Sequence, residues 1–356
     1  MAKHPSILIV GVGVFGRLLA AELLRTTDAD LVLAARRAPD AFADELGAPE
    51  RVSTTTVDLT DPPSLARAAR DRVAVACTAG PFRAFPVELP LVAVRAGAHW
   101  LDIGDDRDWV ISHLRDEDLD DAAHASAVNV MPGLSTVPSL SGALARIARA
   151  GLPTASRSRV TLCIGNRNAK GPGAIRSALD GGFRDPIAVD LPPPFGRRPA
   201  YLGRSADADL LREDLGLEAE FRVALEWRAA GMLMSGLGPI WSRLDAGRRS
   251  ALGQALSAAS RPFGWFGMSA GCLLVEVWDD RGRVVGLAAL GDQRIAIVPC
   301  AIALERILTG GLGTPGVVHP VRWLSGATWL EEIARRDIRV LERSPAGTRP
   351  ARRPVR

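Results

Sequence analysis

The chain opens on an apolar run, Ser6 to Val10 (SILIV). Gly11-Val12-Gly13-Val14-Phe15-Gly16 follows directly, and then Arg17 to Arg25, whose leucines and alanines recur at helical spacing. The pattern predicts a strand, a glycine turn and an amphipathic helix. The same rhythm continues for about 140 residues. Asp30 to Ala35, the β-branched run Val52 to Val57, Val73 to Cys77, His99 to Ile103 and Val128 to Met131 read as strands. Helical patterns fall between them at Pro62 to Arg70, Val87 to Ala96 and Leu119 to Ser126, with another at Leu140 to Arg149. Runs such as VAVAC lack polar alternation, which marks strands buried on both faces of a parallel sheet.

The second half reads differently. Arg159 to Ile164, Phe221 to Trp227 and Gly271 to Trp278 are strand-like. The turn Asp279-Asp280-Arg281-Gly282-Arg283 and the strand Val284 to Leu290 complete a hairpin, an antiparallel signal. Pro192 to Pro194 marks an irregular loop. A helix at Pro299 to Leu308, a segment at 316–321, a helix at Thr328 to Arg336 and a strand at Ile338 to Leu341 close the chain.

The glycine pattern G-x-G-x-x-G sits where a dinucleotide-binding turn needs it, after a strand and opening a helix. Gly11 permits the tight turn, Gly13 lets a pyrophosphate approach the backbone, and Gly16 lets helix and strand pack closely. The helix start, Val14 and Phe15, offers free N–H groups and partial positive charge to phosphates. A glycine turn that binds nothing is the alternative. About 20 residues on, an NAD-preferring site carries an acid at the tip of the second strand. Here Arg36 and Arg37 stand instead, and guanidinium forks suit a 2′-phosphate, so the reading is NADP(H). A solvated arginine pair is the competing explanation. Asp58 ends the third strand, where an acid can meet an adenine amino group, while Asp61 caps the helix that Pro62 starts. The turn Ala79-Gly80-Pro81-Phe82 follows the fourth strand, at the carboxyl edge where a ligand crevice opens.

Composition narrows the classes. The chain has 356 residues, 47% hydrophobic and 24% charged, with a net charge of +4. Arg349, Arg352, Arg353 and Arg356 in the tail account for that excess, so the charge is poor evidence for nucleic acid. Cys77, Cys163, Cys272 and Cys300 show no metal-like spacing and read as reduced thiols of a cytoplasmic protein. Met1 leads straight into the first strand, leaving no room for a signal peptide, and no apolar run reaches the ~18 residues of a spanning helix.

For proton transfer, the only tyrosine, Tyr201, is not followed by lysine four residues on. Lys170 is the one plausible catalytic lysine, although an exposed loop lysine is the plainer reading. Asp102, at the end of the fifth strand, is the preferred catalytic candidate, able to orient an amine or share a proton. An Asx turn to the following residues explains it equally well. His99 reads as a satisfied strand histidine and Cys77 as a buried inert thiol.

GVGVFG (11–16), AARR (34–37), VDLTDP (57–62), CTAGPF (77–82), AGAHWLDIGDD (96–106) and PGLSTVPS (132–139) together resemble the saccharopine dehydrogenase-like NADP-dependent oxidoreductases. Trp100 stands where that family often has tyrosine. The resemblance implies an α/β fold: a Rossmann-like parallel-sheet domain with an inserted, mainly antiparallel α+β domain. It implies a cofactor domain of residues 1–140 plus about 298–343, a substrate and dimerisation domain of 141–297, and a homodimer. The tail at 344–356 is expected to be disordered. Hydride transfer to or from a C=N, C–N or conjugated C=C bond is the expected chemistry, and an NADP(H)-binding sensor without turnover is the alternative.

Met232 to Trp241 and Phe263 to Met268 read as glycine-rich apolar loops. They are expected to line a greasy pocket near Phe82 and Asp102, with a dimer partner or a membrane surface as other uses. A multiply carboxylated substrate such as saccharopine would need converging cations, for which Arg157, Arg159, Arg167 and Lys170 are available. The apolar loops favour a more hydrophobic ligand.

Overall fold

Two β-sheets carry the structure, a computed structural model that describes residues 4–168, 175–176, 179–180, 183–260, 265–344 and 347–350. The chain divides into two units, Met1–Ser139 with Ala296–Trp323, and Leu140–Ile295 with Leu324–Arg356.

In the first unit, β1 (Ser6–Val10), β2 (Asp30–Ala35), β3 (Val52–Thr56), β4 (Ala74–Cys77), β5 (His99–Asp102) and β6 (Asn129–Met131) alternate with helices. The helices are α1 (Val14–Thr26), α2 (Asp40–Glu45), α3 (Pro62–Ala69), α4 (Leu89–Arg95), α5 (Arg107–Leu114) and α6 (Glu117–Ala125). With the later β13 (Gly316–Val317) the strands form a seven-stranded sheet in the order β13-β6-β5-β4-β1-β2-β3. Every pairing in it is parallel. Ile7, Leu8 and Ile9 are fully buried, as strands covered on both faces require. The helix α11 (Val298–Leu308) packs against α1. Its residues Val298 to Leu304 are buried in an unbroken run, so it is enclosed on all sides.

The second unit is built on an eight-stranded sheet. Its strands are β7 (Arg157–Ile164), β8 (Arg184–Leu191), β9 (Gly196–Leu202), β10 (Glu218–Leu225), β11 (Gly271–Trp278), β12 (Val284–Gly291), β14 (Arg339–Ser344) and β15 (Gly347–Pro350). The order is β15-β14-β12-β11-β7-β10-β9-β8. All pairings are antiparallel except β7 with β10. The helices α7 (Ser141–Gly151), α8 (Asp207–Leu215) and α12 (Gly326–Ala334) pack on this sheet. Charged side chains on β7, β10, β11 and β14 pair with one another: between the neighbours β7 and β10, within β10, and from β14 over the intervening β12 to β11. Arg159 Nε donates to Glu220 at 2.6 Å, Arg222 to Glu220 at 2.8 Å, and Arg343 to Glu276 at 3.2 Å.

Three expectations change here. The returning stretch was expected to serve the cofactor domain as far as residue 343, yet α12 and β14 lie in the second unit. The backbone decides this: Arg339 to Arg343 is in antiparallel register with Leu290 to Gly286, and Trp329 and Ile333 of α12 are buried. The tail was expected to be disordered from 344, but Gly347–Pro350 continues the sheet as β15, while 351–356 lies outside the described residues. The Met232 to Trp241 loop is a helix, α9 (Arg228–Ser242), followed by α10 (Ala246–Ser260). Three glycines and Pro239 lower its helix propensity. Burial outweighs that. A Cβ on Gly231 would fall 2.7 Å from the Tyr201 ring, and Trp241 is buried with Ile175 and Leu179. Lys170 and Phe263 lie outside the described residues.

Candidate functional site

Parallel strands bring their carboxyl ends to one edge of a sheet, and the register shows which ends meet. Val10 is level with Ala34 on one side and Cys77 on the other, Cys77 with Asp102, and Ala35 with Thr56. The residues that follow these strands therefore share the edge where α/β sheets bind ligands. They are Gly11 to Gly16, Arg36 and Arg37, Asp58, Ala79 to Phe82, and Asp102 itself.

The glycine turn is tied to its neighbours by the backbone. Gly11 N–H donates to Ala34 O at 2.8 Å, and Thr78 Oγ1 donates to Gly11 O at 2.7 Å. Gly11 has φ +99°, and a Cβ there would sit 2.4 Å from the backbone nitrogen of Ala79. A Cβ on Gly16 would sit 2.3 Å from Gly11 O. Both positions require glycine for the fold. Gly13 differs, because a Cβ there would meet nothing within 4 Å. Its missing side chain leaves open space, which is the cradle a pyrophosphate needs. The first helical bond, Arg17 N–H to Gly13 O, leaves the amides of Val14, Phe15 and Gly16 before it. No side chain caps them and no acid lies in the first turn. Val14 is exposed and Phe15 half-buried.

Arg36 and Arg37 are both exposed, and among the described residues neither forms a hydrogen bond or salt bridge. Asp58 accepts from Thr60 N at 2.9 Å and from Thr60 Oγ1 at 2.8 Å. The backbone and hydroxyl bonds from Thr60, with the charge of Arg36, hold its carboxyl below the usual range. Asp61 heads α3 but makes no side-chain capping bond. In the turn after β4, Ala79 and Pro81 are half-buried and Gly80 is exposed. Phe82 is buried, its ring 5.3 Å from that of Trp109 and 6.2 Å from that of Phe85, so it packs the turn onto α5.

Asp102 is the fixed point of the edge. It is 0% exposed. Its Oδ1 accepts from the amides of Gly104 (2.9 Å) and Gly133 (3.0 Å), and its Oδ2 from Trp100 Nε1 (2.9 Å) and Trp109 Nε1 (3.0 Å). Four donors surround one carboxylate, and no oxygen is left facing solvent. The Asx-turn reading holds through Gly104, and the larger role is to clamp β5, α5 and the 132–139 loop together. The sequence reading missed Trp109, Gly133 and Thr78. Trp100, singled out as a departure from tyrosine, finds its reason here as an indole donor to this acid.

His99 is half-buried and its Nδ1 accepts from Asn129 N at 2.8 Å. Burial lowers its basicity, so the ring is neutral. Cys77 is fully buried, and burial together with the nearby Asp102 charge pushes its thiol far above the ordinary range. Among the described residues, no group of His, Cys, Asp and Glu is arranged to hold a metal ion. No described helix is long and apolar enough to cross a membrane.

The parallel sheet with its glycine turn and the mixed second sheet together define a saccharopine dehydrogenase-like fold. Saccharopine dehydrogenase (L-Glu forming) from Saccharomyces cerevisiae superposes with a TM-score of 0.62 at 13% identity, over 96% of this chain and 99% of that one. An amine dehydrogenase from Mycobacterium smegmatis gives a TM-score of 0.49 at 12% identity, over 90% and 96% of the two chains. No family model matches the chain, and no curated relative matches it.

Proposed function

We propose that the protein is an NADP(H)-dependent oxidoreductase of saccharopine dehydrogenase type. It exchanges hydride with a C=N, C–N or conjugated C=C bond of a rather hydrophobic small molecule. The observation that carries this reading is the edge itself: an open glycine, uncapped helix amides and two exposed arginines follow adjacent strands. Val14, Phe15 and Gly16 amides hold the pyrophosphate across Gly13. Arg36 and Arg37 hold the 2′-phosphate by charge-assisted hydrogen bonds. The nicotinamide supplies the hydride chemistry when bound. Asp102 acts as a positioning residue that fixes the 104 and 133 turns, and the proton comes from elsewhere.

Support for an apolar substrate comes from the second unit. Arg159 is committed to Glu220, with Glu276 at 3.8 Å, and lies over the Trp278 ring. It is therefore poorly placed to pair the carboxylates of a substrate like saccharopine. All four cysteines are free and buried, in keeping with a reducing compartment such as the cytoplasm. The enclosure of Asp102 favours a second reading, a sensor that binds NADP(H) without turnover. Offering NADPH with apolar imines, ketones and enoyl thioesters, beside NADP with saccharopine, tests both. Turnover of an apolar substrate supports the oxidoreductase. Efficient turnover of saccharopine alone overturns the apolar substrate. Tight NADPH binding with no turnover of any of them supports the sensor.

A further inference from the structure

Helix α9 presents an unusual surface. On a soluble helix the exposed arc is polar. Here the residues facing out over successive turns are Met232 (62% exposed), Leu233 (59%), Gly236, Pro239 and Ile240 (52%). No charged residue interrupts the helix between Arg228 at its start and Arg243 just past its end. Single exposed apolar residues are ordinary, but a continuous arc of them is an interaction surface.

A second apolar group is tethered at the same corner. Trp265 is 81% exposed and Phe266 66%. Their loop is held by Glu226, two residues before the helix, whose Oε2 accepts from Met268 N at 2.9 Å and from Asn166 N at 2.7 Å. Asn166 Nδ2 in turn donates to Phe266 O at 2.9 Å. The aromatic pair is thus fixed beside the N-terminal end of the apolar helix.

Charge identifies the occupant. From Arg228 to Ser260 the two helices and their junction hold Arg228, Arg243, Arg248 and Arg249 against one acid, Asp245; Glu226, just before them, is taken up by two backbone amides, and Arg249 lies 3.7 Å from Asp180. Asp245 lies 3.4 Å from Arg248. Two copies meeting on this face would bring like charges together. An anionic bilayer surface instead offers hydrocarbon to the apolar arc and opposite charge to its arginine ends. Tryptophan suits that interface, where an apolar ring with one polar N–H is at home. We propose that the outer face of α9, with Trp265 and Phe266, docks the protein in the plane of an anionic phospholipid surface. At 15 residues the helix lies on the surface and does not span it.

The test is co-sedimentation of the full chain with vesicles of phosphatidylcholine, alone or mixed with phosphatidylglycerol. Binding to the mixed vesicles, weakened by salt and at least about tenfold weaker on pure phosphatidylcholine, is expected. Leu233→Glu with Ile240→Glu should abolish it while NADPH binding and thermal unfolding stay unchanged, because both side chains point to solvent. Trp265→Ser should weaken it. In the wild type, bromine-labelled acyl chains should quench tryptophan fluorescence, which needs no variant to fold. No vesicle binding, binding unchanged in the double variant, or absence of quenching would overturn the proposal. So would a stable dimer in sedimentation velocity that Ile240→Glu dissociates, since the face would then belong to a second copy.

Discussion

The two sheets handle polar groups in opposite ways. In the parallel sheet the central strands β1 and β4 are buried along their length, the hydroxyl-rich edge strand β3 is not, and charge gathers where the strands end. In the mixed sheet it lies along the strands, as Arg159, Glu220, Arg222, Glu276 and Arg343, and is paired within the sheet. Buried or half-buried charge must find a partner, and these five side chains find one another. The strand ends of the first sheet divide into two kinds. Asp102 is saturated by four donors, whereas Arg36 and Arg37 form no hydrogen bond or salt bridge among the described residues and no side chain caps the first amides of α1. What separates the two kinds is what each leaves unpaired.

The largest expected effect breaks the saturated part. Asp102→Ala strands two indole N–H groups and two amides in a fully buried setting, at about 1–3 kcal/mol for each donor left unsatisfied. Loss of about 4 kcal/mol or more, or failure to fold, is expected in chemical denaturation. A stable variant that lost only activity would show that Asp102 belongs to the chemistry and not to the frame.

The glycine turn sharpens the contrast at a smaller scale. Gly11→Ala must strain a positive φ and push into the Ala79 backbone, and should cost about 2–3 kcal/mol of stability. Gly13→Ala meets open space, so stability should change by less than about 0.5 kcal/mol. Its dinucleotide affinity should nonetheless fall, as measured by fluorescence titration. Equal destabilisation by the two would contradict the separate roles assigned to them.

The mixed sheet should answer to pH. Burial raises the Glu220 carboxyl, but hydrogen bonds and charge from Arg222 and Arg159 outweigh this and hold it below its usual value of 4.5. A lowered folded value means the contribution is present above the ordinary carboxylate range and is lost as pH falls through the lowered value. Glu220→Gln should therefore cost about 1 kcal/mol near neutral pH, and the difference should vanish in acid. A gap that widens in acid would reverse the assignment.

Much of the first sheet was legible because most of its strands are short apolar runs bounded by their own turns, β3 is a β-branched run, and the glycine pattern is local. The partners of Asp102 were not, since Trp109 and Gly133 lie 7 and 31 positions away. The parallel pairing of β7 with β10 was equally hidden, because a hairpin and α8 intervene between strands that sequence places far apart. The join of β14 to β12 was hidden for the same reason, and it moved the end of the chain from one unit to the other. Helix α9 was masked by its own glycines and proline, whose local preference tertiary packing overrode.

Under the proposed function Arg36 and Arg37, after the strand next to the glycine turn, hold the 2′-phosphate of NADP(H). Calorimetric titration of NADPH and NADH into the wild type and into the double variant Arg36→Ala, Arg37→Ala tests it directly. The wild type should prefer NADPH, and the variant should lose about 1–3 kcal/mol of NADPH affinity while NADH is unchanged. Equal loss for both dinucleotides, or binding of neither to the wild type, would contradict it.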